Sequence, residues 1–167
     1  VGTGDQKHFY TSNIGSDSVT SFEFANVPPA GSKVTHISIG KQPEAIDLSP
    51  DGKEIWAGLN AEGAIDVVDT ATNKFKEKVN VGGRPYRVRF TPDGKFVVNS
   101  MIATKELLVI DAATKKEVKR IKLESVPLGI VFSADGKIAF VSVVEPDLIL
   151  KINLESGEIL GRVDSGK

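Results

Sequence analysis

Apolar and polar residues alternate along most of this chain with a period of two rather than 3.6. Short runs follow one another, divided by turn residues: residues 45–49 (AIDLS), 54–59 (EIWAGL), 64–69 (AIDVVD) and 75–81 (FKEKVNV). Successive side chains of a strand point to opposite faces, so this alternation predicts short β-strands, and helix signals are nearly absent. The third run of each group is apolar on both faces, as in residues 66–69 (DVVD) and 107–111 (LLVID). That suits a strand of a small sheet held between two neighbouring sheets.

The runs recur at a fixed interval. Asp51, Asp93 and Asp135 stand 42 residues apart, as do Pro43, Pro85 and Pro127, and as do Asp69, Asp111 and Asn153. Ile37, Val79, Ile121 and Val163 carry the same spacing into a fourth unit. A pentapeptide marks each unit: SPDGK at 49–53, TPDGK at 91–95 and SADGK at 133–137. Pro presets φ, Asp bonds back to local backbone and Gly supplies a positive φ, so the motif predicts the hairpin tip between a first and a second strand. Residues 69–74 (DTATNK) and 111–116 (DAATKK) are expected to turn the chain between the third and fourth strands.

Four antiparallel strands in about 42 residues is the size of a propeller blade. The pattern G-x-x-P (Gly40 to Pro43), Ser49 to Lys53, Tyr10-Thr11-Ser12-Asn13, Val109-Ile110-Asp111 and the closing Ile37 to Gly40 resembles the YVTN-type, 40-residue β-propeller repeat. The resemblance runs over essentially the whole chain and implies an all-β propeller of about four blades. The repeats are approximately 1–39, 40–81, 82–123 and 124–167 of a single propeller segment. It also implies a bacterial protein with a periplasmic or extracellular location. It is nearly silent on activity, because one repeat scaffold serves unrelated roles.

The first unit is irregular. Lys7 aligns with Lys53 at an offset of 46, so residues 26–33 (NVPPAGSK) are read as an insertion of about four residues. The inner strand of the first blade then falls before Val1. Open blade ends would expose apolar faces. The segment is therefore expected to be part of a larger propeller or to be completed by a second chain; a closed four-bladed ring is the third option.

Composition narrows the chemistry. With 21 Lys+Arg against 22 Asp+Glu, the 167-residue chain has no general basic surface for nucleic acid. RPYRVRF (84–90) is the one short stretch that mixes basic and aromatic residues, and a nucleic-acid partner is not expected. Cysteine is absent, which excludes disulfides, thiolate metal sites and a cysteine nucleophile. No apolar run reaches the ~18 residues of a membrane-spanning helix. His8 and His36 form no H-x-H or H-x-x-E pattern, and the D-G turns lack the oxygen spacing of a calcium loop, so no metal and no cofactor is expected. No catalytic set stands out. Trp56 aligns with Tyr10, Val98 and Phe140 and is expected in the core.

The candidate binding residues lie on or beside the inner strands: Lys41 and Glu44 in the second unit, and Arg84, Tyr86, Arg87 and Arg89 in the third. Guanidinium groups fork onto carboxylate or phosphate, so the three arginines are candidates for an anion. Asp47 stands at the position equivalent to Arg89 and offers an inter-blade ion pair instead. Two functional expectations follow. The first is a non-enzymatic binding or scaffold module that meets a protein, a ligand or a second copy of the chain through its loop face. The alternative is part of a propeller enzyme or redox-enzyme subunit, lactonase-like or associated with a quinone or haem dehydrogenase, whose catalytic residues lie outside this segment.

Overall fold

Each hairpin tip is built by side chains acting on nearby backbone. In the computed structural model, which describes residues 1–4, 6–24 and 32–166, the Ser49 hydroxyl donates to Asp51 Oδ1 (2.7 Å) and accepts the N–H of Glu54 (2.9 Å). Asp51 Oδ1 also takes the Lys53 N–H (3.1 Å), and Gly52 turns the chain at φ +74°. The same bonds recur at Thr91–Asp93–Phe96 and at Ser133–Asp135–Ile138, with Gly94 and Gly136 both at φ +71°. These bonds hold the Asp51, Asp93 and Asp135 carboxyls below the usual carboxylate range, the Ser or Thr hydroxyl being the largest cause and the backbone N–H the next. In the second, third and fourth repeats the tip between third and fourth strands is an Asx turn. Asp69, Asp111 and Asn153 accept the N–H of Thr72 (2.8 Å), Thr114 (2.7 Å) and Ser156 (3.0 Å).

Among the described residues, fifteen strands run between these tips, in four antiparallel sheets. The first sheet has three strands, β1 (His8–Asn13), β2 (Ser18–Glu23) and β3 (Lys33–Ser38). The second has β4 (Pro43–Leu48), β5 (Glu54–Leu59), β6 (Ala64–Asp69) and β7 (Lys74–Asn80). The third has β8 (Pro85–Phe90), β9 (Phe96–Met101), β10 (Glu106–Asp111) and β11 (Glu117–Lys122). The fourth has β12 (Val126–Phe132), β13 (Ile138–Val144), β14 (Leu148–Asn153) and β15 (Ile159–Asp164). Within each sheet the strands pair in chain order. This is the all-β, four-blade arrangement that the 42-residue period predicts.

The first sheet differs from the prediction in detail. Val1 exchanges hydrogen bonds with Tyr10 (3.0 and 2.8 Å), and Gly2 bridges to Phe9. These two residues occupy the place of an inner strand beside β1. Thr3 caps His8 as Ser49 caps Glu54, through a 3.1 Å bond from the His8 N–H to Thr3 Oγ1. Gln6, at φ +59°, stands where the other units place glycine. The predicted insertion at 26–33 lies outside the described residues apart from Ser32 and Lys33.

The chain divides into two compact units, Val1–Gly82 and Gly83–Lys167, each holding two sheets. In the first unit, Tyr10, Val19 and Ile37 pack with Ile55, Ala57 and Val68 between its two sheets. In the second, Val98, Leu107, Val109 and Ile121 pack with Ile130, Val141, Leu150 and Ile152. Each core is thus the face of one blade laid on the face of the next, the sheet-on-sheet packing that alternating strands allow. Trp56 is fully buried, as predicted, and its indole N–H donates to Glu54 Oε2 (2.9 Å).

Candidate functional site

Every complete inner strand carries an irregularity just after its proline. The pairing of β4 with β5 slips between Pro43 and Ala45, that of β8 with β9 between Pro85 and Arg87, and that of β12 with β13 between Pro127 and Ile130. Proline cannot donate to the ladder, and a bulge re-aims the extra side chain. The residues set apart in this way are Glu44, Tyr86, and the pair Leu128 and Gly129. The scaffold is common to the three blades, while the chemistry placed on the bulge differs: a carboxylate, a phenol and an aliphatic chain.

In the third blade the bulge shapes the arginine cluster. Val88 and Phe90 are buried on one face of β8, and Arg87 and Arg89 are exposed on the other. The Arg87 guanidinium lies over the half-buried Tyr86 ring, its Cζ 5.2 Å from the ring centroid, a cation–π contact. Arg84 is exposed in the turn that leads into β8. The backbone of Arg87 is fixed as well: its N–H donates to Ser100 Oγ (3.0 Å), and the Ser100 hydroxyl donates to the carbonyl of Leu128 (3.0 Å) in the fourth sheet. In the fourth sheet Ser142 repeats the first of these bonds, accepting the Gly129 N–H (2.9 Å). Sequence reading singled out the arginines and the tyrosine but missed both serines. Their sole signal is position, since Ser100 and Ser142 are 42 apart and the second 42-residue repeat has Gly58 there.

Lys41 and Glu44 belong to the first unit. Lys41 is exposed and Glu44 half-buried. Around Lys41 the structure places something the sequence did not suggest. Three successive backbone N–H groups each find their own carboxylate: Gly40 donates to Asp66 Oδ2 (2.7 Å), Lys41 to Glu62 Oε1 (2.7 Å) and Gln42 to Asp17 Oδ1 (2.9 Å). Consecutive N–H groups of this kind form a concavity suited to anions, and here the protein's own side chains fill it. Lys78 binds Glu62 and lies 3.8 Å from Asp66. Burial pushes the Asp66 carboxyl up, against the Gly40 N–H and the Lys78 charge. The exposed Glu62 is held down by Lys78 first and the Lys41 N–H second.

Asp47 is buried on β4 of the first unit, and Arg89 is exposed on β8 of the second. The two histidines sit on the outer two strands of the first sheet, His8 on β1 and His36 on β3, where His36 Nδ1 is 2.9 Å from Thr20 Oγ1. Neither is on an inner strand. Among the described residues no three of His, Asp and Glu come together in a way that would hold a metal ion. A cavity of about 420 Å³ opens between the third and fourth sheets at their hairpin-tip end, floored by Phe96, Val109, Val118 and Leu154. It is at the opposite end of β8 from Arg84 and Tyr86.

No family model matches the chain, and no curated protein does. Solved structures do. The chain is similar to Kuenenia stuttgartiensis hydrazine synthase, with a TM-score of 0.85 and 24% identity over 96% of this chain and 47% of that one. It is also similar to the dihydro-heme d1 dehydrogenase NirN in complex with DHE, with a TM-score of 0.75 and 18% identity over 95% of this chain and 35% of that one. The chain therefore spans about half and about a third of the length of these two proteins. At such identity the likeness concerns the fold, and that fold is a β-propeller, of which this chain supplies about four blades.

Proposed function

We propose that the chain is the propeller part of a redox enzyme or of a subunit of one, with the catalytic groups supplied by residues outside Val1–Lys167. The observation that carries this reading is the likeness over nearly the whole chain to two propeller-bearing enzymes, a hydrazine synthase and a dihydro-heme d1 dehydrogenase. The side chains of this segment suit support and recognition rather than catalysis. Neither histidine lies on an inner strand, so the residues do not fit axial ligation of a haem iron there. Arg84, Arg87 and Arg89, with Tyr86 beneath Arg87, do fit the carboxylates of an anionic ligand or partner. An exported, bacterial setting goes with this reading through the repeat resemblance. Among the described residues no helix is long and apolar enough to cross a membrane.

A second reading keeps the chain as a free-standing binding module. What favours it is the bulge that presents a different side chain in each blade, Glu44, Tyr86 or Leu128, on one common scaffold.

Titration of the purified chain with protohaem, a macrocycle bearing two carboxylates, followed by quenching of Trp56 fluorescence, separates the two. The first reading predicts saturable binding, weakened at least about tenfold by combined Arg84→Ala, Arg87→Ala and Arg89→Ala, since charge-assisted hydrogen bonds contribute about 1.5–3 kcal/mol each, and unchanged by His36→Ala. Binding that survives the triple variant, or that is lost with His36, overturns the arginine assignment. No binding at all favours the free-standing module.

A further inference from the structure

The cavity at the hairpin-tip end of the third and fourth sheets differs in chemistry from the corresponding place between the first and second. Both of its walls belong to one compact unit, Gly83–Lys167. Its floor is apolar: Phe96 on β9, Val109 on β10, Val118 on β11 and Leu154 in the turn after β14. The repeat places His8, Ser21, Val34 and Thr70 at the same positions between the first two sheets, so three of the four are polar there. The Thr70 hydroxyl also donates to the Gly52 carbonyl (2.7 Å). The apolar floor is therefore written into this pair of blades and not into the common scaffold. Val118 is brought to it by a bulge. The pairing of β10 with β11 slips between Val109 and Ile110, which sets Val118 apart, and it is left 48% exposed.

Two contacts between the sheets frame the opening. On the inner side the hairpin tips meet: a Cβ at Gly136 would come within 3.2 Å of Pro92 Cδ. On the outer side Lys119 of β11 donates to the Glu155 carbonyl, tying β11 to the turn after β14. Lys95 and Lys137 stand on the rim with Lys119. The rim carboxylates Asp93 and Asp135 are turned to their own tips. Each accepts a hydroxyl and a backbone N–H at its Oδ1, from Thr91 and Lys95 in one tip and from Ser133 and Lys137 in the other. Asp93 Oδ2 also lies 3.6 Å from Lys95 Nζ. Glu155 is exposed, and the group that it offers to Lys119 is its carbonyl. Each ammonium carries three donor hydrogens and no acceptor, so the hydrogen-bonding capacity left at this rim is mainly that of a donor.

We propose that this cavity binds a small amphipathic anion, an aromatic ring system bearing one carboxylate or sulfonate. The ring would lie on Phe96, Val109, Val118 and Leu154, and the acidic group would meet Lys119 and Lys137 at the rim. The volume of about 420 Å³ falls within the ~300–1,000 Å³ of small-molecule pockets, which combine apolar walls with a few placed polar groups. A cation of the same shape would find the Asp93 and Asp135 carboxyls already engaged in their own turns. The cavity is at the opposite end of β8 from Arg84 and Tyr86, so this site does not rest on the redox-enzyme reading.

The probe is anilinonaphthalene sulfonate, an aromatic sulfonate whose fluorescence rises in apolar surroundings, titrated into the purified chain. Chemical shifts of isotope-labelled backbone amides locate it. The proposal predicts saturable binding, with shifts confined to residues 91–96, 117–119, 135–137 and 153–155. Val118→Glu, at an exposed position, puts a carboxylate on the floor and should weaken binding at least about tenfold. Combined Lys119→Ala and Lys137→Ala should weaken it at least about tenfold as well, while combined Arg84→Ala and Arg87→Ala leaves it unchanged. An unchanged urea midpoint confirms that each variant keeps the fold. Naphthylmethylammonium, a cation with a like ring system, should bind at least about tenfold more weakly than the sulfonate. Absence of saturable binding overturns the proposal. So do shifts centred on residues 84–89, binding indifferent to Val118→Glu, or a cation that binds as well as the anion.

Discussion

The hydroxyl of Ser100 joins two blades through the backbone of Arg87 and Leu128. It accepts the Arg87 N–H and donates to the Leu128 carbonyl, both at 3.0 Å, with its own side chain fully buried. A buried hydroxyl so used fixes the strand that carries the arginines and ties it to the next sheet. Ser100→Ala removes both bonds and leaves an N–H and a carbonyl to be satisfied otherwise, a cost of about 2 kcal/mol. Ser142→Ala, which removes the bond from Gly129 alone, is expected to cost about 1 kcal/mol. Urea denaturation of the two variants checks the order; equal costs would mean that the link to Leu128 contributes nothing.

The three D-G turns share φ near +70° but not their surroundings. A Cβ at Gly52 would meet open space, whereas one at Gly136 would come within 3.2 Å of Pro92 Cδ. Gly52→Ala should therefore show only the cost of a left-handed alanine, about 1–2 kcal/mol. Gly136→Ala should show that cost and a further loss of packing between neighbouring tips. Thermal or urea midpoints of the pair give the difference, and a larger effect at Gly52 would contradict the account.

Acid should weaken the fold. Among the described residues seven carboxyls are held below their ordinary range, namely Asp51, Glu62, Asp69, Asp93, Glu106, Asp111 and Asp135. Glu106 belongs with them because Thr104 and Arg120 together outweigh its burial. Each contributes stability that is complete above its unfolded pKa, near 4, and is lost as the pH falls through its lower folded value. Asp66, raised by burial, runs the other way: its contribution is present below its unfolded pKa and is lost as the pH rises through the folded one. Seven against one sets the sign. The urea midpoint should fall from about pH 5 downward, and Asp93→Asn should flatten that fall. A midpoint unchanged down to pH 3 would contradict it.

The cage around Gly40, Lys41 and Gln42 predicts a contrast at Asp66. Asp66→Asn keeps an acceptor for the Gly40 N–H and removes a buried charge, so it should change stability by less than about 1 kcal/mol. Asp66→Ala strands that N–H and should cost about 2 kcal/mol. Equal effects would show that the Gly40 bond carries no stability.

The repeat, the hairpin tips and the burial of Trp56 were legible in the sequence because each rests on local pattern: strand alternation, turn chemistry and a fixed period. The first unit was only partly legible. Its turn reads Thr3-Gly4-Asp5-Gln6-Lys7, with Gln6 at the left-handed position that other units give to glycine, so the motif is disguised. The arginine strand could be picked out by composition, but the stacking of Arg87 on Tyr86 depends on a bulge that no residue type announces. The carboxylates on Gly40, Lys41 and Gln42 come from Asp17, Glu62 and Asp66, which only the folded chain brings together. The fold was therefore written in periodic features, and the candidate site in departures from them.

The central claim is that this propeller segment supports an enzyme by holding an anionic group at the third blade. Hydrogen–deuterium exchange of the chain with and without protohaem tests it at the level of residues. The account predicts slowed exchange at residues 84–90 and at the Ser100–Leu128 link. Protection confined to the first sheet, around His8 and His36, or no protection at a concentration that saturates the fluorescence change, would contradict it.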